Sequence, residues 1–339
     1  MTPKILFIVM SAVSKPGTVD QLARALAPHT VLVHHDFSQT PDFPISAPNA
    51  RFVPDPKRTG WAVFGFVEGI FHSLRYAIDK LDFDYVQLLS PTCLPIKSMS
   101  QFEAHVSGRE EAHFDCIDVL QDRDALMSVG YRAFTPASTL RHRIARRLSV
   151  AYFSNSPGRR DEAGIWLRTG GGSGIVPRVA VWTIEALKRP SIGHHIFDES
   201  FRPYYGSPWF GARRHLIAGM LEGFSRSGVR DYFSRLHMAE EYLIPSLLRH
   251  MNPVRGPLNH HIQKFVDAHP GEFGEQDLAQ LKATPKYFAR KFPDNALAPV
   301  RLQLLRELDR SEPVANHAAS APRPFLAYPP DVSRSLVPR

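Results

Sequence analysis

Apolar side chains along the first ninety residues come in two rhythms. Short, nearly unbroken runs at Lys4 to Met10, Thr30 to His34 and Asp84 to Leu89 read as buried strands. Between them, Thr18 to Ala27 puts Leu22, Ala25 and Leu26 on one helical face, with Thr18 as the expected N-cap. A Pro-rich stretch from Pro41 to Pro56 follows, and then an expected helix from about Gly65 to Leu81. Strands alternating with helices predict an α/β fold: a Rossmann-like parallel or mixed sheet flanked by helices, able to take a nucleotide at its carboxyl edge.

The pattern loosens after residue 107. The chain is irregular and rich in Arg and Gly to about 175, and Gly170-Gly171-Gly172-Ser173-Gly174 reads as a loop before a helix from Pro177 to Leu187. A second ordered block runs from Tyr205 to His250, followed by a basic block to about Asp309. From Ser311 onward Pro, Ala and Ser dominate, the composition of a poorly ordered tail. The expected organisation is one catalytic domain over 1–310 and a tail over 311–339, whose end, Leu336-Val337-Pro338-Arg339, reads as a protease-site remnant.

Composition narrows the class. With 43% apolar and 22% charged residues in 339, the chain is too apolar for disorder and long enough for a large core. Cys93 and Cys116 cannot form a disulfide framework, which fits a reducing compartment. The run Ile5 to Met10 lacks the charged flank and length of a signal segment, and nothing approaches the roughly 20 apolar residues of a membrane span. The expected location is therefore cytoplasmic, with contact at the inner membrane surface at most.

A net charge of +8 and a pI near 9.6 point to an anionic partner: nucleic acid, anionic lipid or nucleotide phosphate. Arg141, Arg143, Arg146 and Arg147, with Leu140, Ile144 and Leu148 between them, have the spacing of a basic amphipathic helix that rests on an anionic membrane, although a solvated basic face is commoner. A nucleic-acid or polyanion-binding protein is the rival from another class, without a helix-turn-helix, zinc or aromatic-basic signature to support it.

Four segments carry candidate chemistry. Val33-His34-His35-Asp36 ends a strand with an acid placed to accept hydrogen bonds from a base or ribose, though alone Asp36 reads better as a turn residue. Tyr85 to Ile96 runs a buried strand into a Ser/Pro/Thr loop, and is about as readily a plain strand-ending turn. Gly206-Ser207-Pro208-Trp209-Phe210 offers a sugar-binding floor unless the two aromatics are core, and Glu240-Glu241 open an apolar helix, where starting the helix is by itself the commoner role. In Tyr287 to Phe292, Arg290 and Lys291 lie among aromatics and suit a diphosphate, although an isolated Arg-Lys pair is usually surface.

In order and spacing these segments resemble the Core-2/I-branching N-acetylglucosaminyltransferase and peptide O-xylosyltransferase family. His34-His35-Asp36 matches its strand-end motif, and Trp61 to Arg75 its Trp-opened helix. Ser90 and Pro95-Ile96 match its "LSG-x-x-PI" loop, and Gly206 to Phe210 its "GS-x-WF" motif. Met238 to Tyr242 matches its "PDE" or "PAES" segment, and Phe288 to Phe292 reproduces "FARKF"; the likeness spans roughly Lys4 to Phe292. Pro91 replaces the glycine after Ser90, and Ala62 and Val63 replace those after Trp61. The animal members' many cysteines and membrane anchor are absent, as in a reduced bacterial relative.

The resemblance implies a GT-A fold and inverting, metal-independent transfer of a sugar, GlcNAc or xylose, from a UDP-sugar to a hydroxyl of a glycan or lipid-linked glycan, as in bacterial surface polysaccharide synthesis. It implies Asp36, Trp61, Ser207, Trp209, Arg290 and Lys291 as donor-binding residues, with the two cations doing the work of a metal on the leaving diphosphate. Of two Asp-x-Asp triplets, Asp82-Phe83-Asp84 precedes its strand, and Asp122-Arg123-Asp124, after Cys116 to Leu120, is the one candidate for a metal, although its central Arg123 and neighbouring acids look more like a solvated turn. The expected general base is Glu241, with Glu240 indicated instead by the xylosyltransferase alignment; mutual repulsion of adjacent carboxylates raises one pKa.

Overall fold

A computed structural model of the chain describes residues 2–11, 13–132, 147, 158–160, 165–169, 174–176, 178, 179, 182, 183, 186, 196–253, 258–266 and 269–311. The basic run 141–146, the glycines 170–172 and the tail from 312 lie outside the described residues. Within the expected helix 177–187, the described residues 178, 179, 182, 183 and 186 are helical, and Arg147 is helical and exposed.

The amino-terminal half contains β1 (Ile5–Met10), α1 (Pro16–Ala25), β2 (Thr30–His34), β3 (Ala50–Phe52), α2 (Phe64–Lys80), β4 (Tyr85–Leu89), β5 (Leu94–Pro95) and α3 (Met99–Val106). Next come β6 (Ala112–His113), β7 (Ile117–Asp118), α4 (Arg123–Arg132), β8 (Gly158–Arg160), β9 (Trp166–Arg168), β10 (Tyr204–Tyr205) and β11 (Gly211–Arg213). The rest is α5 (Arg214–Ser225), α6 (Val229–Phe233), α7 (Glu240–Met251), β12 (His261–Gln263), β13 (Phe265–Val266), β14 (His269–Pro270), α8 (Leu278–Ala283), β15 (Phe288–Arg290) and α9 (Pro299–Ser311).

The central sheet is six-stranded and mixed, ordered β3-β2-β1-β4-β11-β6. The first four strands are parallel, and β11 runs antiparallel to both β4 and β6. All six residues of β1 are buried. Side chains alternate across a strand, so Leu6, Ile8 and Met10 enter one apolar cluster with α2, α5 and α7, while Ile5, Phe7 and Val9 enter another with α1, α3 and α9. The fold is α/β with helices on both faces. The chain order reverses between β1 and β4, the switch point at whose carboxyl ends α/β sheets form their ligand crevice. A smaller sheet, β12-β15-β5, packs in the second cluster and carries Arg290.

The first helix begins earlier than the sequence pattern predicts. Its N-cap is Lys15, Pro16 occupies the first turn, and Thr18 is buried inside the helix. Proline fixes φ and lacks the N–H that would go unmatched there, so it starts the helix ahead of the threonine. Near the opposite end of the chain, Arg301 is fully buried, and its Nε donates to Gln21 Oε1 at 2.7 Å. That bond ties α9 to α1. Among the described residues no helix is long and apolar enough to cross a membrane.

Gly69 lets α2 lie close over β2. A Cβ there would stand 2.9 Å from His34 Cε1 and 3.0 Å from Met10 Cε. His34 cannot readily yield, because its Nε2 accepts from the Lys57 amide at 3.0 Å. At Gly17 a Cβ would meet only Ala296 Cβ, at 3.9 Å. Gly17→Ala is therefore expected to stabilise the fold by about 0.4–1 kcal/mol. Gly69→Ala is expected to destabilise it, since overpacking costs about 1–3 kcal/mol against a helix-propensity gain of at most about 1. Urea denaturation of the two variants checks the opposite signs.

Candidate functional site

Asp36 lies just past the carboxyl end of β2 and is almost fully buried. Its Oδ1 accepts from the Ser38 amide at 3.0 Å and the Ser38 hydroxyl at 2.6 Å; its Oδ2 accepts from Gln39 Nε2 at 2.8 Å and the Thr59 amide at 2.6 Å. Burial pushes its pKa up, but these donors outweigh burial and hold the carboxyl well below the usual carboxylate range. The carboxylate fixes two loops, 37–39 and 57–61, at the edge of the crevice.

The second loop leads to Trp61, 81% exposed and set in a turn three residues ahead of α2 rather than opening it. Its ring meets His237 edge-on at 5.4 Å, and the Ala62 carbonyl accepts from the Met238 amide at 3.1 Å. Ala62 and Met238 have φ of 61° and 55°, the left-handed region that residues with a Cβ rarely occupy. Two strained positions joined by one hydrogen bond fit a site whose shape matters.

Glu240 and Glu241 follow in the first turn of α7, at the positive end of its dipole. Glu240 is buried and Glu241 half-buried. Tyr205 Oη donates to Glu241 Oε2 at 3.2 Å, and the Gly206 amide donates to the Glu241 carbonyl at 2.9 Å. A cleft lined by Val129, Tyr205, His237, Met238 and Tyr242 opens beside them.

The segment that meets Glu241 at Tyr205 and Gly206 reaches the cations at Trp209. Ser207 Oγ accepts from the Trp209 amide at 3.3 Å, and the Arg290 guanidinium stands 4.8 Å over the Trp209 ring. Four residues span at most about 14 Å, so the Glu241 and Arg290 neighbourhoods lie close together. Arg290 Nε is sealed from solvent without an acceptor. Neither Arg290 nor Lys291 has a carboxylate within ion-pairing distance among the described residues. The Lys291 carbonyl accepts from the Phe273 amide at 2.8 Å, and Phe292 donates to the Thr92 carbonyl at 2.8 Å, which brings the Ser90 loop alongside.

Seven of the eight sequence-derived candidates, scattered from 36 to 291, are thus joined by one path of contacts and short chain segments, Asp36, Thr59, Trp61, His237, Glu241, Tyr205, Ser207, Trp209, Arg290, Lys291, and the eighth, Glu240, adjoins Glu241. Compared with protein-family models and with curated proteins, the sequence has no match. The site must be read from its own geometry.

Two expectations change. Trp209 and Phe210 are core, 6% and 0% exposed, and the Trp209 face is covered by Arg290, so the pair is not an open sugar floor. Trp61 is the exposed aromatic. Asp122-Arg123-Asp124 is a helix start clamped by an arginine: Asp122 Oδ1 accepts from the Asp124 and Ala125 amides, while Arg159 bridges both carboxylates at 2.6 and 2.9 Å. Sequence reasoning missed His261. It is buried beside Trp209, both ring nitrogens lack partners, and burial with the added Arg290 charge holds its pKa at about 3. Its only signal in sequence is adjacency to another histidine.

Asp36→Asn should cost about 1–3 kcal/mol at pH 7, because an amide presents one acceptor where two are needed and turns a donor toward donors. The native pKa is depressed, so this stabilisation is present above the unfolded value of about 3.9 and is lost as pH falls below it. Denaturation at pH 7, 4 and 3 should show the gap between wild type and Asp36→Asn narrowing towards acid.

Proposed function

We propose that the chain is an inverting GT-A glycosyltransferase that moves a sugar, GlcNAc or xylose, from a UDP-sugar to an acceptor hydroxyl without a metal on the diphosphate. The observation that carries this reading is Arg290: a half-buried guanidinium over Trp209 whose Nε is sealed without an acceptor, with no carboxylate at ion-pairing distance among the described residues. A sealed N–H left without an acceptor is costly, and a nucleoside diphosphate at the crevice would match it. His261, beside Trp209 and Arg290, adds a further unmatched polar ring, and Lys291 adds a second cation in the chain. As the sugar leaves, negative charge grows on the UDP oxygens, and fixed cations nearby stabilise it where a metal otherwise would.

Inversion in one displacement asks for one base on the face opposite the leaving group. Glu241 fits better than Glu240: it is half-buried, so an acceptor hydroxyl can reach it, and Tyr205 orients its carboxylate. Trp61 offers an apolar face at the rim for a sugar ring. The rival polyanion-binding reading leans on the basic run at 141–147, of which only Arg147 is described.

Two substitutions test the assignment. Arg290→Ala should weaken UDP binding by about 10- to 150-fold, the loss of a charged hydrogen bond of about 1.5–3 kcal/mol. Glu241→Gln should lower kcat by roughly 10²–10⁴-fold while UDP affinity stays within about twofold. Unchanged UDP calorimetry in folded Arg290→Ala sinks the diphosphate site. Normal turnover in Glu241→Gln with a dead Glu240→Gln moves the base by one residue.

A further inference from the structure

A second group of buried polar atoms lies outside the path described above. His105 sits in the last turn of α3, His113 in β6, and His260 immediately before β12. One ring nitrogen of each lies within 4.8 Å of those of the other two. Ring centroids are 5.0 Å apart for His105–His113, 5.1 Å for His105–His260 and 3.9 Å for His113–His260. His113 and His260 are 1% and 2% exposed, and His105 is half-buried.

Their surroundings set the rings in one orientation. Gln87 Nε2 donates to the Phe210 carbonyl at 3.0 Å, which turns Gln87 Oε1 towards His260 Nδ1 at 2.8 Å. An amide oxygen only accepts, so His260 carries its proton on Nδ1, and its Nε2 is a lone pair with no donor. His113 Nδ1 lies 2.8 Å from Tyr85 Oη, and its Nε2 is likewise unmatched. Gly211 makes room for this: a Cβ there would stand 2.1 Å from Tyr85 Oη and 2.6 Å from Gln87 Oε1.

We propose that His105, His113 and His260 bind a divalent transition-metal ion, zinc foremost, with Nε2 of the two buried rings and one nitrogen of His105 as ligands. The ion would act as a structural clamp joining α3, β6 and the lead-in to β12. Three imidazoles suit zinc among the common biological cations, with water in the fourth position. Gln87 and Tyr85 already hold Nδ1 of two rings, the arrangement that fixes a ligating histidine.

Tetrahedral zinc places its nitrogen ligands about 3.3 Å apart. The rings must therefore close in by at most about 1.5 Å, most of it available to half-buried His105. Lys286 and Arg213 are near enough to depress His113 and also oppose a dication, so affinity falls short of that of thiolate sites. This ion is separate from the diphosphate. His261, the next residue, packs towards Trp209, and the clamp would fix the strand from which it projects.

Zinc titrated calorimetrically into chelator-stripped full-length protein should bind at one equivalent with micromolar or tighter affinity and raise Tm. Cobalt should give the visible absorption of a tetrahedral site. His105→Ala, at the most exposed of the three positions, keeps the fold and should weaken zinc by at least about tenfold; His113→Gln should do the same. Binding below one equivalent, no tetrahedral cobalt spectrum, or undiminished binding in folded His105→Ala would overturn the proposal and leave a stack of neutral rings that serves packing alone.

Discussion

Burial of β1 on both faces governs everything else in the molecule. A strand with six apolar residues in a row cannot leave either face to water, so the chain must lay helices on both sides of the sheet. It does so by winding α1 under one face and α2 over the other, and the change of direction falls between β1 and β4. Polar groups are few in the buried parallel strands β1 and β2. They collect at the sheet's carboxyl edge, where Ser11, Asp36 and Ser90 emerge, and the loops from both halves of the chain converge on that edge.

Convergence requires support, and the residues closest to the proposed chemistry are held by others. Asp36 organises loops by accepting four hydrogen bonds and has little capacity left for a ligand; its effect on a nucleotide would come through the position of Trp61. Tyr205 holds Glu241, and Trp209 holds Arg290. The segment 205–210 links an anionic and a cationic neighbourhood that would pair and neutralise each other in direct contact. Separation by a short, buried, aromatic segment keeps both charges available.

The long parts of this arrangement were legible in the sequence. Unbroken apolar runs marked β1, β2 and β4, and a 17-residue amphipathic stretch marked α2, almost to the residue. Thr18 misled because proline outranked it as a helix start. Strands β5, β11 and β15 are two or three residues long, and they exist by pairing with distant segments, so no local period announces them. The candidate site stood in the sequence as separate motifs, not as contacts: Trp209 read as a floor and is a cation's platform. The His105–His113–His260 cluster was invisible, because the chain has 16 histidines and intervals of 8 and 147 residues select none of them.

Unmatched buried nitrogens are unevenly distributed, and their distribution is informative. His113 Nε2, His260 Nε2, both nitrogens of His261 and Arg290 Nε all lie on or beside β6, β12 and β15. Each such atom costs about 1–3 kcal/mol when left unpaired, a load that one small region of a marginally stable domain does not carry without a return. Aromatic packing offsets part of it, since Phe288, Phe102 and Tyr287 surround these rings. Packing cannot satisfy a lone pair or an N–H, however. The lone pair of His260 Nε2 asks for a cation; the N–H of Arg290 asks for an anion. Two adjacent histidines on one strand facing two opposite demands are hard to explain as core filling, and easier to explain if β12 stands between two ligands of opposite charge.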